Sequence, residues 1–359
     1  MSWATPDPQL NERIALIYVD KWNKMNGVED YRRIIAHVTT DGFFDDLFFN
    51  TVLFLGQEAR EGNFEVGTAS RDEWDWWLGL ILGKNGEARL LENAAAEIDV
   101  ELPLDYVGVI LMIPRPRTEE SLQDRIESVK TYVQKAEDMF ESARFSKLKL
   151  KGFYWMSESS DGDEDLIREV SQFLHSTNHT FYWIPYFNAK GYDNWKQLGF
   201  DKVMLQPNFA FYESGMERFE EVNRRIKLYN FSVEMELPSY KRNPEVMNWT
   251  ESLLLYLWAS MKYDWGKLSY MSYYYGNDFA SMGGNATTKK FYDLIYLHVR
   301  GKLDKSSYHT EIDQAYEQFN GRVQSEAIPT LISAGLIVAS VLFVILMVFV
   351  APKRKTGLS

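Results

Sequence analysis

Two carboxylates stand at the ends of two apolar runs: Glu158 closes LKLKGFYWMSE (148–158), and Glu236, 78 residues further on, lies in FSVEMEL (231–237). A pair of carboxyls held at a fixed separation can do acid/base and nucleophilic work. One gives a proton to a leaving oxygen, and the other attacks or activates water. For glycosidic bonds a spacing of about 5–5.5 Å gives retention, and about 6.5–9.5 Å inversion. That chemistry requires both runs to be strands of one sheet, with the acids at the same edge.

Reading the chain for period and punctuation gives strands at 14–20, 45–55, 106–114, 150–158, 180–187, 202–209, 231–237 and 268–275. Between and after them come segments with helical spacing at 28–40, 71–98, 118–143, 164–176, 194–198, 216–228, 244–263 and 287–302. Eight strand–helix units predict an α/β fold, a single (β/α)8 TIM barrel over residues 1–303. The rival, an open doubly wound sheet, usually carries a Gly-rich phosphate loop, and neither G-x-G-x-x-G nor G-x-x-x-x-G-K-[ST] occurs. Residues 304–326 read as a polar helix or stalk, 327–351 as a transmembrane helix and 352–359 as a basic tail.

In such a barrel function gathers at the C-terminal strand ends. Alternation puts Ser232, Glu234 and Glu236 on one side of strand seven, and Phe231, Val233, Met235 and Leu237 on the side facing the helices. Strand four puts Glu158 with Gly152, Tyr154 and Met156. Glu158 and Glu236 are therefore the candidate catalytic pair, with Glu234 one step deeper as a supporting group. Substrate contacts are expected from Asp20, Trp22, Arg115, Trp155, Trp183, Tyr186, Asn188, Gln206, Asn208 and Tyr273, all on or just after strand ends. Flat aromatic faces suit the apolar faces of pyranose rings, and the amides suit hydroxyls. Arg115 is the expected counter-charge to the acids. The competing reading is that the aromatics pack the barrel and the acids are solvated or paired structurally.

The formal charge of −12 argues against a nucleic-acid partner, which needs a basic face. With no cysteine there is no disulfide, thiolate metal site or cysteine nucleophile. His175 and His179 have helical metal spacing but precede strand five, on the rim that carries stability. Asp161, Asp163 and Asp165 resemble a calcium loop, yet Leu166 stands where Gly is required, so they read as acids at a helix N-terminus. No cofactor or metal is expected.

Residues 328–350 carry no charge and are long enough to cross a bilayer, making membrane lipid an expected partner. Lys353, Arg354 and Lys355 would stay in the cytoplasm and place the barrel outside. The sequons at Asn178, Asn230, Asn248 and Asn285 point the same way, whereas MSWATPDPQLNER lacks a signal-peptide pattern.

The segments GFYWMSE (152–158), FYWIPYFNAKGYDNWKQLGFD (181–201), QPNFAF (206–211) and VEMEL (233–237) together resemble the DUF4855 family of uncharacterised proteins over roughly residues 14–300. The resemblance implies a barrel related to glycoside hydrolases and supplies no activity. The two acids are also similar to the pair in the large retaining clan of glycosidases, which has Asn before its strand-four Glu where this chain has Ser157. The expected function is a membrane-anchored, glycoside-hydrolase-like protein acting on or binding a glycan. A non-catalytic carbohydrate-binding or envelope protein on the same barrel is the alternative, and an adaptor that binds protein through its acidic helix faces is a third.

Overall fold

The computed structural model describes residues 11–212, 214–238, 249–303 and 308–323. Eight parallel strands close into a barrel: β1 Glu12–Tyr18, β2 Thr51–Leu55, β3 Val107–Ile113, β4 Leu148–Trp155, β5 Thr180–Trp183, β6 Lys202–Leu205, β7 Ser232–Glu236 and β8 Tyr270–Tyr274. Neighbours in sequence are neighbours in space, and β8 returns to β1 with Glu12 opposite Tyr270 and Ala15 opposite Tyr273. The uninterrupted VGVILMI of β3 is buried at every position, as a strand covered on both faces must be.

β4 contains a bulge. Val109 pairs with Leu150 but Ile110 with Gly152, so Lys151 is skipped. Gly152 has φ +155°, and a Cβ there would lie 1.9 Å from the Thr180 carbonyl oxygen, so the position requires glycine. The extra residue resets the alternation of β4 just before the mouth.

Two expected elements split. The 28–40 helix stops at Ile35, and the 45–55 strand breaks at Phe48 to Asn50. Ala36–Val38 and Phe44–Leu47 instead form a two-stranded antiparallel ribbon. His37 pulls this ribbon onto helix Lys289–Val299: its ring nitrogens meet Asp45 at 2.7 Å and Asp293 at 2.8 Å, and it stacks on Tyr296 at 3.9 Å. The 71–98 segment is likewise two helices, Arg71–Leu82 and Glu87–Glu101, broken around Gly83 and Gly86.

Residues 309–323 are helical and lie on the barrel's flank, where Tyr316 stacks on Trp258 at 3.9 Å and Phe319 meets Phe209 at 5.8 Å. The segment 328–350 lies outside the described residues. Among the described residues no helix is long and apolar enough to cross a membrane.

Candidate active site

The barrel's interior layers lead up to the two acids. Glu234 and Ser272 are partners across β7 and β8, and the serine hydroxyl donates to Glu234 Oε1 at 3.4 Å. One layer higher, Glu236 lies opposite Tyr274. Tyr18 of β1 and Tyr154 of β4 both feel the charge of Glu158 and Glu234, which places all four groups on the inner side near the mouth. The parity expected for β7 therefore holds.

Gln206 and Asn208, just beyond β6, link the acids. Gln206 Nε2 donates to Glu158 Oε1 at 2.7 Å, while its Oε1 accepts from Asn208 Nδ2 at 2.9 Å. The Asn208 backbone N–H donates to Glu236 Oε1, and Asn208 holds the left-handed backbone (φ 52°) that asparagine tolerates. A second donor to Glu236, the Tyr256 hydroxyl at 3.2 Å, comes from helix Trp249–Tyr263.

Burial dominates the electrostatics. The Glu158 carboxyl is pushed up to about 7, first by desolvation and then by the charge of Glu65, against the opposing Gln206 amide. Glu236, 3% exposed, is pushed up to about 8 by desolvation and by Glu158, opposed by the Asn208 N–H, Tyr256 and the Arg218 charge. Glu234 is raised well above the ordinary carboxyl range by desolvation and by the two acids above it. Three neighbouring carboxyls, two of them buried, disfavour one another's ionisation.

Several expected contacts lie elsewhere. Trp155 and Trp183 alternate to the helix side: Trp155 packs edge-on to Phe181, and Trp183 stacks on Phe200 while its Nε1 donates to the Ser157 carbonyl. Tyr273 also faces outward, against Phe49 and His298. Its neighbour Tyr274 has the inward parity and lies 5.2 Å from Tyr18. Arg115 does not balance the strand-end acids, because its Nε binds the fully buried Asp163 at 2.7 Å and Arg125 takes the other oxygen. Asp20 is committed to the backbone of two loops: one oxygen accepts from Trp22 N, Asn23 N and Asn23 Nδ2 of its own, the other from Gln57 N of the loop after β2.

Trp22, Tyr186 and Asn188 do reach solvent beside the mouth. His175 and His179 pair with Asp201 and Glu137. Tyr18, Glu65, Arg218 and Tyr256 were not singled out from sequence. For Tyr18 the signal was present, since it shares the parity of Asp20 two positions on; Arg218 and Tyr256 lie on helices whose sequence carries no mark of the mouth.

A family model described as "Domain of unknown function (DUF4855)" matches residues 116–296. No curated protein matches the chain. Similar solved structures include a candidate alpha-L-fucosidase from Bacteroides thetaiotaomicron VPI-5482, at 11% identity and TM-score 0.49, covering 82% of this chain and 96% of that one. A GH113 beta-1,4-mannanase matches at 12% and 0.43, covering 81% and 99%. N-acetylneuraminate lyase from Fusobacterium nucleatum matches at 13% and 0.38, covering 98% and 94%. Likenesses this distant span unrelated reactions and say nothing about activity; the barrel rests on its own strand order.

Proposed function

The chain belongs to the DUF4855 family, whose description assigns no activity, and from that premise we propose that its barrel mouth binds a glycan and hydrolyses it with Glu158 and Glu236. The observation that carries this reading is the pair itself: Glu236 at the end of β7 and Glu158 in the loop three residues beyond β4, which stops at Trp155 and not at the expected 158, joined through Gln206 and Asn208 and both raised by burial.

Their surroundings suggest a division of labour. Glu236 accepts from a backbone N–H and a tyrosine hydroxyl and feels Arg218, all of which favour its anion. Glu158 has a single neutral amide donor; burial leaves Glu236, at about 8, holding its proton more tightly than Glu158, at about 7, so the assignment rests on the donors around Glu236 and not on that order. In a retaining reaction the Glu158 proton passes to the leaving glycosidic oxygen as Glu236 bonds to the anomeric carbon. Water, deprotonated by Glu158, then displaces Glu236 and restores both groups. Glu234, the deepest acid, keeps its proton and adds no negative charge to the mouth.

Incubating the protein with soluble polysaccharides of neutral, acidic and amino-sugar backbones tests this, with reducing ends counted and the first-formed anomer read by NMR. Release of the retained anomer is expected. No cleavage of any backbone, with sugar affinity intact, would leave the second reading, a non-catalytic carbohydrate-binding protein. The observation favouring that alternative is the enclosure of Glu236, whose oxygens are already taken by Asn208 and Tyr256.

The proposal includes an anchor. The uncharged run 328–350 followed by Lys353, Arg354 and Lys355 supports attachment to a membrane with the barrel on the far side from the basic tail. Alkaline carbonate extraction is expected to leave the full chain in the pellet, and protease added to intact cells to reach the barrel.

A further inference from the structure

We propose that the site takes an internal stretch of a polysaccharide chain laid across the mouth from Trp22 to Tyr186 and Tyr212, so that cleavage is endo; this rests on the glycan reading of the mouth. Three exposed aromatics each stand in a loop that leaves a C-terminal strand end. Trp22 follows β1 and is 68% exposed, Tyr186 follows β5 at 38%, and Tyr212 follows β6 at 63%.

The strand order gives these positions meaning. In a closed barrel of eight, β1 lies opposite β5, with β6 beside it. A line from the Trp22 loop to the Tyr186 and Tyr212 loops crosses the mouth, leaving β4 with Glu158 on one side and β7 with Glu236 on the other. A sugar chain on that line presents one glycosidic bond between the acids while units on both sides lie over aromatic rings. A pocket for a chain end would need a wall where one of these platforms stands.

The platforms are held in place, which distinguishes them from aromatics scattered on a surface. The buried Asp20 accepts the Trp22 N–H at 2.9 Å and the Gln57 N–H at 3.2 Å, so the Trp22 loop is stapled to the loop after β2. Lys21 Nζ sits 4.9 Å from the Trp22 ring and steadies it. The residues flanking Tyr186 are pinned by the relay that joins the acids: the Pro185 carbonyl accepts from Gln206 N at 2.9 Å, and Phe187 N donates to Asn208 Oδ1 at 2.8 Å. Tyr212 N donates to the Asn208 carbonyl at 3.2 Å. Gln206 and Asn208 therefore register two platforms against the catalytic pair.

A protein partner is the poorer fit. Docking surfaces for proteins present contiguous apolar area, whereas these rings stand apart around an acidic, amide-lined centre. Separate flat faces with hydrogen-bonding groups between them match a chain of pyranoses.

The test measures affinity rather than turnover. Full-length protein carrying Glu158→Gln is titrated with oligosaccharides, from the monosaccharide to long oligomers, made from whichever polysaccharide it retains. Affinity is expected to climb with chain length. Trp22→Ala and Tyr212→Ala, added singly, should each weaken the long oligomers about tenfold and flatten the climb. Both rings are exposed, so the variants fold, which a thermal melt checks. Affinity that is independent of length, or a climb that survives both variants, overturns the chain-spanning site and leaves the glycan reading standing. Retention of no carbohydrate at all removes the glycan reading, and this inference with it.

Discussion

On the proposed mechanism, Glu158→Gln is expected to lower the rate of hydrolysis of a natural glycosidic bond by about 10²- to 10⁴-fold, the contribution of a positioned general acid. The substitution keeps the hydrogen bond from Gln206 to Oε1, so geometry survives while the transferable proton does not. The loss should shrink on an aryl glycoside whose leaving group departs without protonation, because that substrate does not need the acid. A loss of equal size on both substrates would argue that Glu158 acts through structure instead. In the unaltered protein the pH–rate profile is expected to be a bell whose limbs belong to the pair. With the carboxyls pushed up to about 7 and about 8, it rises as the first proton leaves and falls as the second leaves. An optimum near pH 5, ordinary for exposed carboxylates, would contradict the burial of the pair.

The second large effect concerns stability. Glu158, Glu234 and Glu236 hold their protons more tightly folded than unfolded, where the ordinary value is 4.5. Above that value the unfolded chain binds fewer protons than the native one, so these three groups make stability fall as pH rises towards about 8. His298 works in the opposite sense. Burial lowers it from 6.5 to about 3, so its contribution makes stability rise with pH up to about 6.5 and is level above. Between about 6.5 and about 8 the acids act without that opposition.

Over that window the contribution of these groups to stability should fall. Glu236→Gln removes one of the titrating groups while its amide oxygen still accepts from Asn208. The variant should therefore show a shallower decline and a higher urea midpoint than wild type at pH 8, together with loss of hydrolysis. Urea midpoints measured at several pH values decide it. A wild-type midpoint that climbs from pH 6.5 to 8, or a variant less stable at pH 8, would mean that these carboxyls ionise readily in the folded state. A more stable but inactive variant is the signature of a site that stores charge strain for function.

How far the chain could be read without its structure varied from element to element. The eight strands and most helices follow from hydrophobic period and from Gly and polar punctuation, which are local properties. On β7 the alternation of Ser232, Glu234 and Glu236 with Val233, Met235 and Leu237 was enough to say which side faces inward, because one side is polar and the other apolar. The same reasoning identified Glu158, Glu236, Gln206 and Asn208 as neighbours at one end of the barrel.

On the last three residues of β4 and on β5 and β8 both sides carry aromatic or aliphatic residues and both are largely buried, so hydrophobicity does little to distinguish the interior from the helix interface. That is why Trp155, Trp183 and Tyr273 were expected at the mouth and face the helices, while Tyr18 and Tyr154 occupy the interior. The bulge at Lys151 and Gly152 depends on register with β3 and on the nearness of the Thr180 carbonyl, and register is a property of two strands, not of one.

Charge partners were the least legible. Arg115 follows β3 closely enough to suggest the acids at the mouth, but the fully buried Asp163 has the greater need of a counter-charge and takes both Arg115 and Arg125. The sequence by itself determined where the strands lie and that carboxylates stand at or just past the ends of two of them, because those facts depend on neighbours in the chain. Only the tertiary structure decided which groups desolvate those carboxylates, which donors hold Glu236, and that Asn208 ties them to Tyr186 and Tyr212, because burial and hydrogen bonding depend on neighbours in space.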